Sequence, residues 1–155
     1  MKPHPSLLDE TGEPRLFFHG TNKVFSTFKP SEAGSFGKGI YFACSESSAI
    51  EYGGRIVQAH VILSNPWDVA ADCDGEVNME EDFDNPATGA VVLLPRGRAL
   101  LEAAKRHPCG HFGDDLQRHL VELGYDGIVA TYPDGCLEVV AFRPDQVEMM
   151  DLVPV

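Results

Sequence analysis

The sequence predicts a single α+β domain, and three observations support this class. The chain has 155 residues with 43% apolar side chains, which suits one soluble domain with one hydrophobic core. Short apolar segments of strand type occur near both ends of the chain, and helical patterns lie between them. The last strands are separated by short turns, which predicts antiparallel pairing and therefore an α+β arrangement.

The first half of the chain predicts three strands and one short helix. An apolar run stopped by glycine indicates a strand over residues 16–21, and a glycine-rich entry leads into a second strand ending at Ala43. Ser45 is a candidate N-cap for a helix over residues 47–52. Apolar and polar residues then alternate over 55–63, which indicates a third strand.

The second half predicts two helices and three closing strands. Pro95 is suited to begin a helix that runs to His107. Asp114 is a candidate cap for the next helix, which Gly124 ends and whose apolar face is Leu116, Leu120, Val121 and Leu123. The closing strands are expected at 128–132, 137–142 and 146–153.

An acidic loop at residues 68–86 is the most unusual segment by composition. It holds eight carboxylates and no lysine or arginine. It lacks the spacing of a calcium-binding loop, so a solvated functional cover or insertion is favoured. The tract from His107 to His111 is too strained for a chelate, and no metal is expected. We therefore divide the chain into a leader at 1–15, frayed or docked, and one catalytic domain at 16–155.

The charge balance limits the classes of partner. The net charge is −12, which disfavours nucleic acid and is compatible with a basic protein. No apolar run reaches the length of a membrane helix, and the N-terminus lacks the pattern of a secretory signal. We expect a cytoplasmic monomer with four reduced cysteines, or a protein delivered into a target cell by a dedicated secretion system.

Three local patterns carry the candidate chemistry. His19-Gly20-Thr21 ends the first strand, Gly37 to Phe42 enters the second with Tyr52 on the following helix, and Glu138 lies within a closing strand. A carboxylate is disfavoured in an apolar strand unless it is exposed or paired, so Glu138 stands out. Taken singly, His19, Tyr41 and Tyr52 are more typical of core or cap positions, and a solvent-facing position is an alternative for Glu138.

Together, in this order, the patterns resemble the His-Tyr-Glu branch of the ADP-ribosyltransferase superfamily, which includes the poly(ADP-ribose) polymerases and diphtheria toxin. The closing segment, Tyr125 to Ile128 followed by Glu138 to Phe142, is similar to small bacterial and phage members. The resemblance spans residues 16 to about 150. It implies a split β-sheet core with a few short helices, and NAD as the substrate.

The resemblance also implies roles for individual residues. His19 would bind the adenosine ribose, the Gly20 backbone would hold the nicotinamide carboxamide, and Tyr41 and Tyr52 would sandwich the nicotinamide ring. Glu138 would bind the nicotinamide ribose and orient the acceptor. Thr21 and Gly39 lie in the same motifs and are assigned to NAD binding. Ala49 stands where the polymerases carry a serine that bonds the carboxamide, and Ser48 is the candidate substitute.

The chemistry accounts for these residue types. Loss of nicotinamide leaves an oxocarbenium-like sugar, which a carboxylate stabilises, as in glycoside hydrolysis. Flat aromatic faces suit the cationic ring of NAD. A glycine beside the ring lets the backbone approach closely.

These residues favour a mono-ADP-ribosyltransferase acting on a protein. An NAD glycohydrolase, transfer to nucleic acid, and a catalytically silent NAD-binding or interaction module remain as alternatives. Cys136 stands where arginine-specific toxins carry a second acidic residue, which argues against arginine as the acceptor. The acidic loop is a candidate for recognising the acceptor. A toxin, an effector, a phage protein and a housekeeping modifier all fit the sequence.

Overall fold

The computed structural model describes residues 4–21, 38–50, 53–69, 114–131 and 137–153. Within them, seven strands form one mixed sheet in the order β4-β5-β6-β2-β1-β3-β7. The strands are β1 (Phe17–Thr21), β2 (Ile40–Ala43), β3 (Arg55–Val61), β4 (Trp67–Asp68), β5 (Gly127–Thr131), β6 (Leu137–Ala141) and β7 (Val147–Val153). Two helices are described, α1 (Glu46–Ala49) and α2 (Asp114–Glu122), with 3-10 turns at Pro5–Leu7 and Pro144–Gln146. The predicted α+β class is confirmed.

The sheet is divided between β1 and β2 into two half-sheets. The first half-sheet contains β1, β3 and β7, and all of β1 from Phe17 to Thr21 pairs with β3. The second contains β4, β5, β6 and β2, and all of β2 pairs with β6. Between β1 and β2, the register in the described chain contains a single pair, Phe18 with Ala43. We call this boundary the split.

Both half-sheets contribute to the same hydrophobic core. Phe17 and Ala59 from the first half-sheet and Phe42 and Val139 from the second are all at most 1% exposed and belong to one cluster. Burying one phenylalanine or valine side chain of this cluster contributes about 1.5–3 kcal/mol. The leader also takes part, because Leu7 belongs to this cluster and is 1% exposed.

A second connection, which we call the clasp, joins the turn after β3 to the start of β5. The Asp126 carboxylate accepts hydrogen bonds from the Ser64 amide (2.7 Å), the Ser64 hydroxyl (3.1 Å) and the Asn65 amide (3.0 Å). The Gln146 side-chain amide donates to the Asp126 carbonyl (2.7 Å). The backbone carbonyl of Gln146 accepts a hydrogen bond from the backbone amide of Ile62 (2.8 Å), so the clasp extends to the residue that precedes β7.

Three fold predictions need correction. The last two strands are not a hairpin, because β7 pairs antiparallel with β3 and leaves β6 between β5 and β2. The short strand β4, parallel to β5, was not predicted. The buried face of α2 contains Leu116 and Leu120, whereas Val121 and Leu123 are 54% and 63% exposed. Val121 lies on the exposed flank of the helix, and Leu123 follows the last helical residue.

The expectation of four reduced cysteines is wrong for Cys44, which is disulfide-bonded. The other three cysteines lie outside the described residues, as do residues 70–86 of the acidic loop, the helix predicted at 95–107 and the tract from His107 to His111. In the described ranges, we find no helix with the length and apolar character needed to cross a membrane.

Candidate active site at the split

His19 lies at the split, two positions before the end of β1. Its Nδ1 atom is 2.7 Å from the Tyr41 carbonyl oxygen on β2. Its ring also packs at a tilt against Phe42, with the ring centroids 5.6 Å apart. Beyond the Phe18–Ala43 pair, an imidazole therefore bridges the two strands.

The hydrogen bond defines the tautomer of His19. A carbonyl oxygen can only accept, so Nδ1 carries the proton and Nε2 is the acceptor nitrogen of the neutral ring. Burial lowers the pKa of His19, and the bond to the Tyr41 carbonyl opposes this shift in part. The ring is therefore neutral near pH 7, with an acceptor nitrogen suited to a sugar hydroxyl.

Tyr41 and Glu138 lie on the same face of the second half-sheet. Tyr41 is opposite Val140, and Ala43 is opposite Glu138. Residues directly opposite share a face in an antiparallel pair, and diagonal neighbours are roughly 7–8 Å apart. Tyr41 and Glu138 are such a diagonal pair, and both are partly buried.

Glu138 has a small neighbour on each side. Ala43 on β2 and Ala130 on β5 are its two cross-strand partners. Ala130 is fully buried, whereas Ala43 is partly exposed. The sheet thus presents the Glu138 carboxylate between two short side chains, next to Tyr41.

Gly20 and Thr21 occupy the end of β1, where its pairing with β2 has stopped. Both pair with β3, Gly20 with Ile56 and Thr21 with Arg55. Gly20 shares a face with Phe18 and hence with Ala43 and Tyr41, because alternate residues point to the same side of a strand. Gly20 is partly buried and adds no side chain to the face that carries Tyr41.

Helix α1 follows β2 directly and contacts both strands of the split. The predicted N-cap is confirmed, since the Ser45 hydroxyl accepts from the Ser48 amide at 3.3 Å. The Ser45 hydroxyl also donates a hydrogen bond to the Ser48 hydroxyl at 3.0 Å, so both polar groups of Ser48 contact the N-cap residue. Ala49, where the polymerases have serine, is 1% exposed. Tyr52 lies outside the described residues.

Gly39 is buried and packs against β6. A Cβ atom at this position would lie 2.3 Å from Cγ1 of Val140 and 3.1 Å from the Ala141 carbonyl oxygen. Val140 in turn is opposite Tyr41. Sequence reasoning did not single out Val140, although its position two residues after Glu138 on the same strand places it on the same face.

The register thus places Gly20, Tyr41, Glu138 and Val140 on one face of the sheet. The His19 ring lies at the split on the side of Phe42, where it bonds the Tyr41 carbonyl. Asp126 is part of the clasp. Across the residues that are described, no three His, Cys, Asp or Glu side chains are grouped closely enough to hold a metal ion.

A split sheet with a few short helices is the architecture expected of an ADP-ribosyltransferase domain. Residues 9–151 match the family described as ADP-ribosyltransferase in polyvalent proteins, and the chain belongs to this family. Membership assigns the chain to the ADP-ribosyltransferases, whose substrate is NAD.

Among solved structures, the chain matches one described as that of an anti-CRISPR protein. It is 19% identical, with a TM-score of 0.44, and the match covers 87% of this chain and 94% of that one. No curated protein matches this sequence significantly.

Proposed function

We propose that this protein is a mono-ADP-ribosyltransferase of the His-Tyr-Glu type, which cleaves NAD and transfers ADP-ribose to a protein. The observation that supports this most is the placement of Tyr41 and Glu138 as diagonal neighbours on one face, beside a split that His19 bridges. The three residues come from three different strands, so their association is a property of the fold and not of sequence proximity.

The proposed reaction breaks the bond between the nicotinamide nitrogen and the ribose anomeric carbon. The departing ring takes the electron pair of that bond and becomes neutral, so no acid is needed. The sugar becomes oxocarbenium-like, and the Glu138 carboxylate stabilises this charge while it accepts a hydrogen bond from the adjacent ribose hydroxyl. The acceptor nucleophile then forms the new bond to the anomeric carbon and releases its proton.

The remaining residues bind NAD in this proposal. Tyr41 contacts one face of the nicotinamide ring, at about 0.5–2 kcal/mol for a cation over an aromatic face. Tyr52 takes the second face, and the Gly20 backbone holds the carboxamide together with the Ser48 hydroxyl. Neutral His19 accepts from the adenosine ribose through Nε2, beside Thr21 at the end of β1.

A protein acceptor fits two features of the chain. Glu138 and its neighbour Ala43 are partly exposed, so this side of the carboxylate is accessible to an incoming acceptor side chain. The net charge of −12 favours encounter with a basic protein surface and opposes encounter with nucleic acid.

The test is incubation of the wild type and of Glu138→Gln with a cell lysate and NAD labelled in its adenylate half. We expect labelled protein from the wild type and a loss of roughly 10²–10³-fold in Glu138→Gln, the size typical of removing one charge-stabilising group. Glu148→Gln is the matched control, because Glu148 is an exposed carboxylate on β7, the edge strand of the first half-sheet.

Each alternative predicts a different product. Free ADP-ribose without labelled protein indicates a glycohydrolase, and an RNase-sensitive label indicates a nucleic-acid acceptor. Tight NAD binding without cleavage indicates a silent module. Label transfer that is unchanged in Glu138→Gln contradicts the role of this carboxylate.

A further inference from the structure

We propose that Gly39 and Val140 form a positioning pair, in which the missing side chain of Gly39 gives Val140 the space that keeps it clear of the nicotinamide site. This inference rests on the proposed function and extends it to two residues that touch neither the reacting atoms nor the substrate in our assignment. It replaces the sequence-based assignment of Gly39 to direct NAD binding with a steric role.

The contact between the two residues is close and specific. Cγ1 of Val140 lies 2.3 Å from the position that a Cβ atom on Gly39 would occupy, a separation that real side chains do not adopt. The isopropyl group of Val140 therefore fills the space where a residue 39 side chain would be. Val140 is 0% exposed, so it has little freedom to move elsewhere.

Val140 also has a position next to both proposed site residues. It is the direct cross-strand partner of Tyr41, with Cβ atoms expected about 4.5–5.5 Å apart. Glu138 precedes it by two positions on the same strand and points to the same face. A shift of Val140 away from Gly39 would move it toward Tyr41 and Glu138.

Backbone freedom does not explain the glycine at this position. The described glycines with positive φ are Gly12 and Gly124, and Gly39 is not among them. An L-residue can adopt its backbone conformation, so the requirement for glycine is the space that Val140 occupies.

The experiment is a double-mutant cycle with Gly39→Ala, Val140→Ala and the two combined. We measure kcat and KM for NAD cleavage together with the melting temperature. Gly39→Ala should raise KM for NAD and lower kcat, with kcat/KM down about tenfold or more, because small misplacements of a binding group are costly. Val140→Ala in the Gly39→Ala background removes Cγ1 and leaves its Cβ at 3.8 Å from the new methyl group.

The double variant should therefore recover to within about threefold of Val140→Ala alone, since deleting the clashing atoms relieves the strain of overpacking. Recovery will stop short of complete, because the Ala141 carbonyl oxygen stays 3.1 Å from the new Cβ. The control is Val139→Ala, which deletes the same atoms from the neighbouring core residue on the opposite face. It should lower the melting temperature without restoring the kinetics of Gly39→Ala.

Three results would overturn the inference. They are wild-type kinetics in Gly39→Ala, a kinetic defect that Val140→Ala does not relieve, and equal rescue by Val139→Ala. If Gly39→Ala fails to fold, the double variant must recover both solubility and KM, and recovered folding with a defective KM counts against the proposal. The wild type separates failure of this inference from failure of the proposed function. If the proposed function is wrong, the wild type will neither bind nor cleave NAD, and the positioning role will be wrong as well.

Discussion

The two half-sheets meet at the split and at the clasp, and these two regions are held together in different ways. At the clasp, one carboxylate and one amide side chain satisfy backbone groups from three segments that are distant in sequence. At the split, the described register contains the Phe18–Ala43 pair, and beyond it the His19 ring donates a hydrogen bond to the Tyr41 carbonyl. The clasp is a closed network of polar bonds, whereas at the split the strands stop pairing along most of β1.

This difference indicates how a small domain keeps an open site without losing rigidity. Pairing β1 along all of β2 would place backbone against backbone where the proposed substrate binds. We infer that the bonds of the clasp offset the cost of leaving this edge open, because several hydrogen bonds to one carboxylate hold its partners in one arrangement. We therefore expect changes at the clasp to reduce stability and changes at the split to reduce NAD binding.

The largest expected stability effect is that of Asp126→Ala. It removes the acceptor of three hydrogen bonds and leaves the amides of Ser64 and Asn65 without it. The Asn65 amide is exposed and can bond water, whereas the Ser64 amide is partly buried. Since a buried donor without an acceptor costs about 1–3 kcal/mol, we expect a loss of roughly 1–3 kcal/mol in the free energy of unfolding. Urea denaturation measures this loss, and KM for NAD measured below the unfolding transition should stay unchanged.

The control for Asp126→Ala is Asp145→Ala, which breaks an ion pair with Arg143 whose side chains are 62% and 74% exposed. Such an exposed pair contributes at most about 1 kcal/mol. Equal destabilisation by the two variants, or a KM defect in Asp126→Ala without a stability loss, would show that the clasp does not have the role described here.

An intermediate effect is expected at His19. Replacing it by alanine removes the bridge across the split and the proposed ribose contact, and we expect KM for NAD to rise about tenfold, which corresponds to about 1.4 kcal/mol. Titration calorimetry with NAD provides an independent measurement of affinity. Wild-type affinity in His19→Ala would contradict the binding role.

The same residue predicts a pH dependence with a definite sign. The pKa of His19 is lowered from its ordinary value of 6.5 by burial. Neutral His19 therefore contributes stability that is fully present above about pH 6.5 and is lost as the pH falls through its lowered pKa. Protonation also removes the acceptor at Nε2, so KM for NAD should rise over this acidic range, and His19→Ala should remove that rise. A KM profile that is the same in both proteins would exclude His19 as its source.

Local sequence signals predicted most of the strands and the cap, because these depend on neighbouring residues. The Ser45 hydroxyl caps the start of α1, and Gly124 adopts a positive φ just after the end of α2. Pairing between distant segments was not predictable in the same way. The partner of β7 is β3, and nothing within residues 147–153 specifies that choice over the adjacent β6.

The candidate site was predictable as a set of residues and not as an arrangement. The identities and order of His19, Tyr41 and Glu138 are enough to predict NAD chemistry from the sequence. The bond from His19 to the Tyr41 carbonyl depends on where the β1–β2 register stops, and the role of Val140 depends on the packing of Gly39. Both are consequences of tertiary contacts that leave no periodic pattern in the sequence.

The smallest effect, and the sharpest test of where the split region ends, is that of Ser45→Ala. Loss of this N-cap should cost about 1 kcal/mol of stability, the usual value for a serine cap. Helix α1 packs on both β1 and β2, so fraying of its first turn acts directly on the split. If α1 belongs to the split region, Ser45→Ala will raise KM for NAD a few-fold in addition to its effect on stability. Ser47→Ala is the control, because it removes an exposed hydroxyl that bonds the same cap residue. It should leave the free energy of unfolding within about 0.5 kcal/mol of wild type and KM for NAD unchanged.

A loss of stability in Ser45→Ala without any change in KM would show that α1 supports the fold only. The substrate-binding region would then be restricted to the strands.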